Sequence, residues 1–220
     1  MVLNENIKLV IFDLDGTLVD SKYDLTDAVN FTRKHYGFGP LSVDKVASYL
    51  GSGITALVKS VLSELKDENF DIAVKIFKDN YAKHLTDKTL PYNDIAETLS
   101  SIPQQKVLLS NKDERFSKYI LETLNLSQFF TKIYGGDSFK EKKPNPLPIY
   151  EIMKKFSLNK ENIVMVGDGA NDITVGKNAG IKTIGVLYGY SSQEQLNSLS
   201  PDYIARNPKD IANIINKQYV

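Results

Sequence analysis

The sequence predicts an α/β protein: a parallel sheet with helices on both faces, and an all-helical segment inserted directly after the first strand. Three observations predict it. Short, nearly unbroken apolar runs recur at residues 7–12, 106–109 and 162–166, each followed by polar or acidic residues. Such runs suit strands buried on both faces, as parallel strands are. After Pro91, strand-like and helix-like stretches alternate, which is the pattern of a parallel sheet with crossover helices. Between about Asp20 and Leu85 the spacing is helical, with no convincing strand.

Taken in order, the run 7–12 is interrupted only by Lys8 and leads into Asp13-Leu14-Asp15-Gly16-Thr17. Leu25, Ala28, Val29 and Thr32 share a helical stripe, broken at Gly37-Phe38-Gly39-Pro40. Ser42 is the expected N-cap of a short helix reaching Leu50. Gly51-Ser52-Gly53 reads as a turn, Ile54 to Leu65 as a helix, and Phe70, Ile72, Ala73, Ile76, Phe77 and Tyr81 as another apolar stripe. Helices are then expected over 94–99, 113–124, 144–156, 171–179 and 210–217, the third opened by prolines and the fourth closed by Gly180. Further strands are expected at 132–134, 181–187 and 203–205. The domain reading is a core of 1–18 and 88–220 with a helical unit of 19–87, hinged near 17–21 and 86–91.

Composition narrows the function. The 220 residues carry 27 basic and 27 acidic side chains, so no basic field marks a nucleic-acid binder. There is no cysteine, which excludes disulfides, thiol catalysis and thiolate metal sites. No 18-residue apolar run and no signal-peptide core is present, so a cytoplasmic protein away from membranes is expected.

Chemistry gathers at the expected strand ends, where open α/β sheets bind ligands. Asp13 and Asp15 leave the first strand together and would repel each other unless a cation or protons intervene. Ser110-Asn111-Lys112 follows the second, offering a hydroxyl and an amide suited to phosphate oxygens. Lys142 and Lys143 precede a helix N-terminus, where the macrodipole repels them unless an anion is near. Gly167-Asp168-Gly169-Ala170-Asn171-Asp172 follows the strand 162–166. Oxygen ligands from Asp13, Asp168 and the Asp15 carbonyl suit Mg²⁺. Each cluster also has an ordinary reading: solvated turns, a Ser-Asn turn, a solvated lysine pair, a capping Asp172. Their joint occurrence, in order and with complementary chemistry, favours a site.

The four clusters resemble the motifs of the haloacid dehalogenase (HAD) superfamily of phosphohydrolases. Asp13-Leu14-Asp15-Gly16-Thr17 is similar to the first motif, Ser110-Asn111 to the second, Lys143 to the third, and Gly167-Asp168 through Asp172 to the fourth. Gly135-Gly136-Asp137-Ser138-Phe139, Lys142-Lys143-Pro144, Ser110-Asn111-Lys112 and Leu50-Gly51-Ser52-Gly53 resemble the phosphoglycolate phosphatase branch. The resemblance implies a Rossmann-like core with a helical cap domain and a Mg²⁺-dependent phosphomonoesterase. Asp13 would be the nucleophile and Asp15 the acid and base. Thr17, Ser110, Asn111 and Lys143 would hold phosphate, and Asp13, Asp15 and Asp168 the metal. Asp172 would either touch the metal directly or, the favoured role, orient Lys143 or a metal-bound water. Gly51, Ser52 and Gly53 would meet the substrate's far end through backbone N–H groups, or form a plain turn. Lys112 stays open between phosphate contact and solvation, and His35 and His84 read as surface or packing residues. The expected partner is a small phosphorylated metabolite, and the protein a monomer or homodimer. The alternatives are a broad phosphatase of sugar phosphates, nucleotides or pyrophosphate, a β-phosphoglucomutase-like phosphotransferase, and a catalytically idle binding protein.

Overall fold

The structure is a computed structural model that describes residues 7–65 and 69–216. Its core is a six-stranded sheet built from β1 (Leu9–Phe12), β4 (Gln105–Leu109), β5 (Lys132–Tyr134), β6 (Ile163–Gly167), β7 (Lys182–Val186) and β8 (Tyr203–Ala205). Spatially the order is β5-β4-β1-β6-β7-β8, and every neighbouring pair is parallel. β1 is central: Phe12 stands level with Leu108 on one side and Val166 on the other. The chain winds outward from β1 in both directions, so a crevice opens beyond its carboxyl end, at the switch point where such sheets bind ligands.

Alternation along the strands supplies two apolar layers. Val10, Phe12, Leu108, Val164 and Val166 face one side, packed by α5 (Ile95–Ser101), α6 (Glu114–Thr123) and α10 (Pro208–Asn216). Leu9, Ile11, Val107, Leu109 and Met165 face the other, packed by α7 (Leu147–Phe156) and α8 (Ala170–Ala179). All four β1 side chains are fully buried. That is why the strand reads as a continuous apolar run rather than an alternating one. A short helix, α9 (Gln193–Ser198), lies between β7 and β8.

The insertion contains α1 (Lys22–His35), α2 (Val43–Ala47), α3 (Ile54–Val61) and α4 (Phe70–Tyr81). Ser42 caps α2, its hydroxyl accepting from the Lys45 N–H, and α2 ends at Ala47, three residues short of the expected end. On α4 the buried stripe is Phe70, Ala73, Phe77 and Tyr81; Ile72 is exposed. Ile72 lies two residues from Phe70, about 200° around the helix, so it faces solvent. Arg33 is buried and joins α1 to the end of α3, donating to the Val61 carbonyl and pairing with Glu64.

Both chain crossings between insertion and core lie side by side. β2 (Val19–Asp20) and β3 (Leu90–Pro91) form a two-residue antiparallel ribbon, Val19 opposite Pro91. The Asp24 carboxylate on α1 ties the return crossing down, accepting from the N–H groups of Lys88 and Thr89 and from the Thr89 hydroxyl. The two segments expected as hinges, near 17–21 and 86–91, thus hold a short strand pairing. α7 also starts later than expected: residues 144–146 form a turn ahead of it, with Pro146 as the N-cap.

Candidate active site

β1, β4 and β6 deliver the predicted residues to one crevice. Asp13 follows β1 directly and Asp168 follows β6, so both carboxylates leave fully apolar strands. Asp172 lies in the first turn of α8 and reaches back to accept from the Gly169 N–H at 3.1 Å. One oxygen from each of Asp13, Asp168 and Asp172 lies within 4.8 Å of the others, and all three residues are buried. Lys143 is the ammonium among them. Its side chain is 1% exposed, and its Nζ donates to Asp13 Oδ1 at 2.8 Å and to Asp172 Oδ1 at 2.6 Å.

Three buried carboxylates against one ammonium leave an excess of negative charge. Burial raises the Asp13 carboxyl to about 7; Lys143 pulls it down, while Asp172 and Asp15 push it up. Asp168 is held well above its usual range by burial, then by Asp172 and Asp13, with the Tyr190 N–H opposing at 2.7 Å. Burial alone would lower Lys143, but its two carboxylate partners outweigh that and raise it. An excess of buried negative charge on hard oxygen donors, in a chain without thiols, fits a divalent cation.

The loop after Asp13 is tight. Gly16 has φ +83°, and a Cβ there would stand 2.3 Å from Asp168 Oδ2, so glycine is needed for the turn and for the close approach. The N–H of Thr17 donates to Leu14 O, and that of Gly16 to Val19 O. Thr17 is fully buried, and its hydroxyl has no partner among the described residues. The N–H groups of Gly16 and Thr17 thus close the turn, and the Thr17 hydroxyl is the group of this loop left for a phosphate.

Asp15 points toward the insertion. Its Oδ1 accepts from the Ser21 hydroxyl and from Lys112 Nζ at 2.9 Å. Lys112 is also bonded to the Tyr81 hydroxyl of α4 at 2.8 Å and lies over that ring, 4.9 Å from its centroid. Burial raises the Tyr81 phenol to about 12, so it stays neutral. Burial would lower Lys112, but Asp15 and Tyr81 reverse that and raise it. Lys112 is thus neither solvated nor a distant bystander: it joins the insertion to Asp15.

Ser110 is buried, its hydroxyl accepting from the Lys112 N–H. Asn111 departs from expectation. Its amide donates to Gly51 O at 3.0 Å and to Lys143 O at 2.9 Å, because the turn of the insertion arrives carbonyl-first. The same carbonyl of Gly51 accepts from Asn171, and Ser52 O accepts from Lys142 Nζ. The turn 51–53, expected either to meet substrate through N–H groups or to be a plain turn, docks on the core through the carbonyl oxygens of Gly51 and Ser52, and its two glycines line the narrow cavity. Lys142 serves that docking, while Lys143 enters the carboxylate cluster. His84 pairs with Asp87 at the surface, and His35 meets Tyr36 edge-to-face.

Two cavities meet at Asp15. A narrow one of about 30 Å³ has Leu25, Leu50, Ile54 and Leu57 on the insertion side and Asp13, Asp15, Ser110 and Lys112 on the core side. A broad cleft of about 590 Å³ reaches Asp15, Asp168 and Asp172 past Tyr190 and α2.

Residues 10–186 match the haloacid dehalogenase-like hydrolase family. The chain belongs to that family. Among HAD-like hydrolases it is 37% identical over 217 residues to a phosphoglycolate phosphatase of Aquifex aeolicus, covering 97% of this chain and 99% of that one. A phosphoglycolate phosphatase of Vibrio parahaemolyticus is 34% identical, with 96% and 97% covered. A solved structure described as a predicted phosphoglycolate phosphatase from Haemophilus somnus 129PT superposes with a TM-score of 0.90 at 30% identity, covering 95% and 98%. The HAD-like core and its helical insertion thus agree with a solved relative over nearly the whole chain. No helix among the described residues is long and apolar enough to cross a membrane.

Sequence reasoning missed Ser21, Tyr81 and Tyr190. Ser21 and Tyr81 touch Asp15 or its lysine from across the insertion, and Tyr190 reaches Asp168 through its backbone. Only the last had a signal: an aromatic pair flanking Gly189 just after an apolar strand.

Proposed function

We propose that the protein hydrolyses small phosphomonoesters, 2-phosphoglycolate foremost, through a covalent phosphate on Asp13. The observation that carries this reading is Asp13 itself. Its buried carboxylate is aligned by Lys143, which Asp172 holds in turn, with Asp15 two residues on and turned toward the narrow cavity. The names of the Aquifex and Vibrio relatives support the substrate.

In this reading an Asp13 oxygen bonds to phosphorus as the bond to the leaving alcohol breaks, and Asp15 gives its proton to that departing oxygen. Asp15 then takes a proton from water. The water oxygen bonds to phosphorus, the Asp13–phosphorus bond breaks, and inorganic phosphate leaves. Lys143 and the Ser110 hydroxyl stabilise the charge shared over the phosphoryl oxygens. Asn111 braces the turn 51–53 and the Lys143 backbone rather than reaching the phosphate. Asp172, both of whose oxygens are engaged, positions Lys143. A divalent cation, Mg²⁺ for these oxygen donors, would be held by Asp13, Asp168 and the Asp15 carbonyl, and would offset the repulsion between Asp13 and a phosphate dianion. The helical unit of 19–87 acts as a cap that limits water while the ester reacts.

Phosphate release from a panel of esters tests the function. Release from 2-phosphoglycolate that stops with EDTA and returns with Mg²⁺ is expected; isomerised sugar phosphate without free phosphate would make the protein a mutase instead.

A further inference from the structure

We propose that Lys112 is the specificity residue for the leaving group: its ammonium takes a carboxylate on the alcohol side of the ester and holds that alcohol beside Asp15. This rests on the phosphatase reading above and names the group that the site selects.

Four observations lead there. The insertion's side chains on the wall of the narrow cavity are apolar, Leu25, Leu50, Ile54 and Leu57, with only the glycines Gly51 and Gly53 beside them, so no polar side chain of the insertion meets a sugar or nucleoside there. Of the two cavities that meet at Asp15, Lys112 lines the narrow one of about 30 Å³, which suits a leaving group of very few atoms, and not the broad cleft. Lys112 is the cation lining it; Lys143 does not line it and is engaged by two carboxylates. A lysine ammonium has three N–H donors. Asp15 and Tyr81 take two, leaving the third for a ligand.

The geometry also sets a length. One ammonium would bind both Asp15, which faces the ester oxygen, and the carboxylate of the leaving alcohol. Ester oxygen and carboxylate must then be close together, as they are when a single CH₂ separates them. Tyr81 has a part in this. It comes from α4, so its bond to the ammonium exists only with the insertion seated on the core. An anion on an otherwise apolar wall needs a charge-assisted partner, and Lys112 supplies it.

The test compares kcat/KM for 2-phosphoglycolate with that for 2-hydroxyethyl phosphate, which replaces the carboxylate by a neutral group, and for a homologue one CH₂ longer. Using ratios cancels any general loss caused by a variant. The wild type should prefer 2-phosphoglycolate over the neutral ester by about 10–100-fold, the worth of one hydrogen bond to a charged group, and over the longer acid as well. Lys112→Met and Lys112→Gln should bring the first ratio close to one, mainly through KM for the acid, and Lys112→Arg should keep part of it. A wild-type ratio near one, or a ratio unchanged in the Met and Gln variants, overturns the proposal. If no ester releases phosphate, the phosphatase reading itself falls, and this proposal with it.

Discussion

Replacing Lys143 by methionine probes the charge balance of the site more sharply than any other single change. Methionine keeps much of the side chain's volume and removes its charge. Asp13, Asp168 and Asp172 would then face one another within 4.8 Å with no ammonium between them. Removing one partner of a buried ion pair costs about 3–5 kcal/mol. In a chain of this size each kcal/mol moves the melting temperature by about 2–4 °C, so the metal-free variant should melt about 6–20 °C below the metal-free wild type. The deficit should depend on pH. Asp13 is raised from 3.8 to about 7, so between those values the folded protein binds a proton that the unfolded chain does not, and its stability falls as pH rises. Loss of Lys143 pushes that carboxyl higher still. The deficit should therefore be larger near about pH 8 than near about pH 6. Divalent cation should restore more stability to the variant than to the wild type, since it meets a larger excess of charge. Thermal melts followed by circular dichroism, with EDTA and with Mg²⁺ at both pH values, measure all of this. Coincident melting of the two proteins in EDTA at both pH values would refute the charge-balance reasoning.

Other outcomes follow from particular contacts. Asp13→Asn should abolish turnover while the far-UV spectrum stays native; substantial turnover would remove Asp13 as the acceptor of phosphate. Asp24→Ala strands the buried Thr89 N–H and the half-buried Lys88 N–H at the return crossing and should cost about 1–3 kcal/mol, read from urea midpoints. Asn111→Ala removes the amide that meets the turn 51–53 and should lower kcat by about tenfold or more, with hydrogen exchange faster at that turn; unchanged exchange there would argue against its bracing role. Asp202 accepts from the N–H and hydroxyl of Thr183 and pairs with Lys182, and although burial opposes them these partners hold its carboxyl below the usual range. The stability it adds should be complete above its ordinary value of 3.8 and fade as pH falls through the lower folded value, an acid-side loss that Asp202→Asn should abolish.

Much of the core was legible because burial on both faces removes the need for alternation. β1, β4 and β6 appear in the sequence as plain apolar runs, and polar residues at their ends mark the crevice. The acidic and basic residues gathered there were legible for the same reason, since charges that follow a buried strand need partners. What escaped was structure made by partners far apart in the chain. The β2–β3 ribbon is two residues long, too short for any periodicity, and depends on crossings about 70 residues apart. The Lys112–Tyr81 bond joins a core loop to the last turn of α4, and nothing local to either residue encodes it. Helix starts were read too early where proline invited it: at 144–146 the chain first turns so that the Lys143 carbonyl meets Asn111. Asn111 was read as a phosphate donor because its own segment does not reveal that a carbonyl from the insertion will occupy its amide.

In the proposed reaction the carboxylate following the first strand carries the phosphoryl group during turnover. Acid quenching during steady-state hydrolysis of 2-phosphoglycolate, followed by peptide mass spectrometry, tests it directly. A phosphate on the peptide at Asp13, absent from Asp13→Asn, is the result predicted. Rapid turnover with that peptide unmodified, or the label on any other residue, would contradict it.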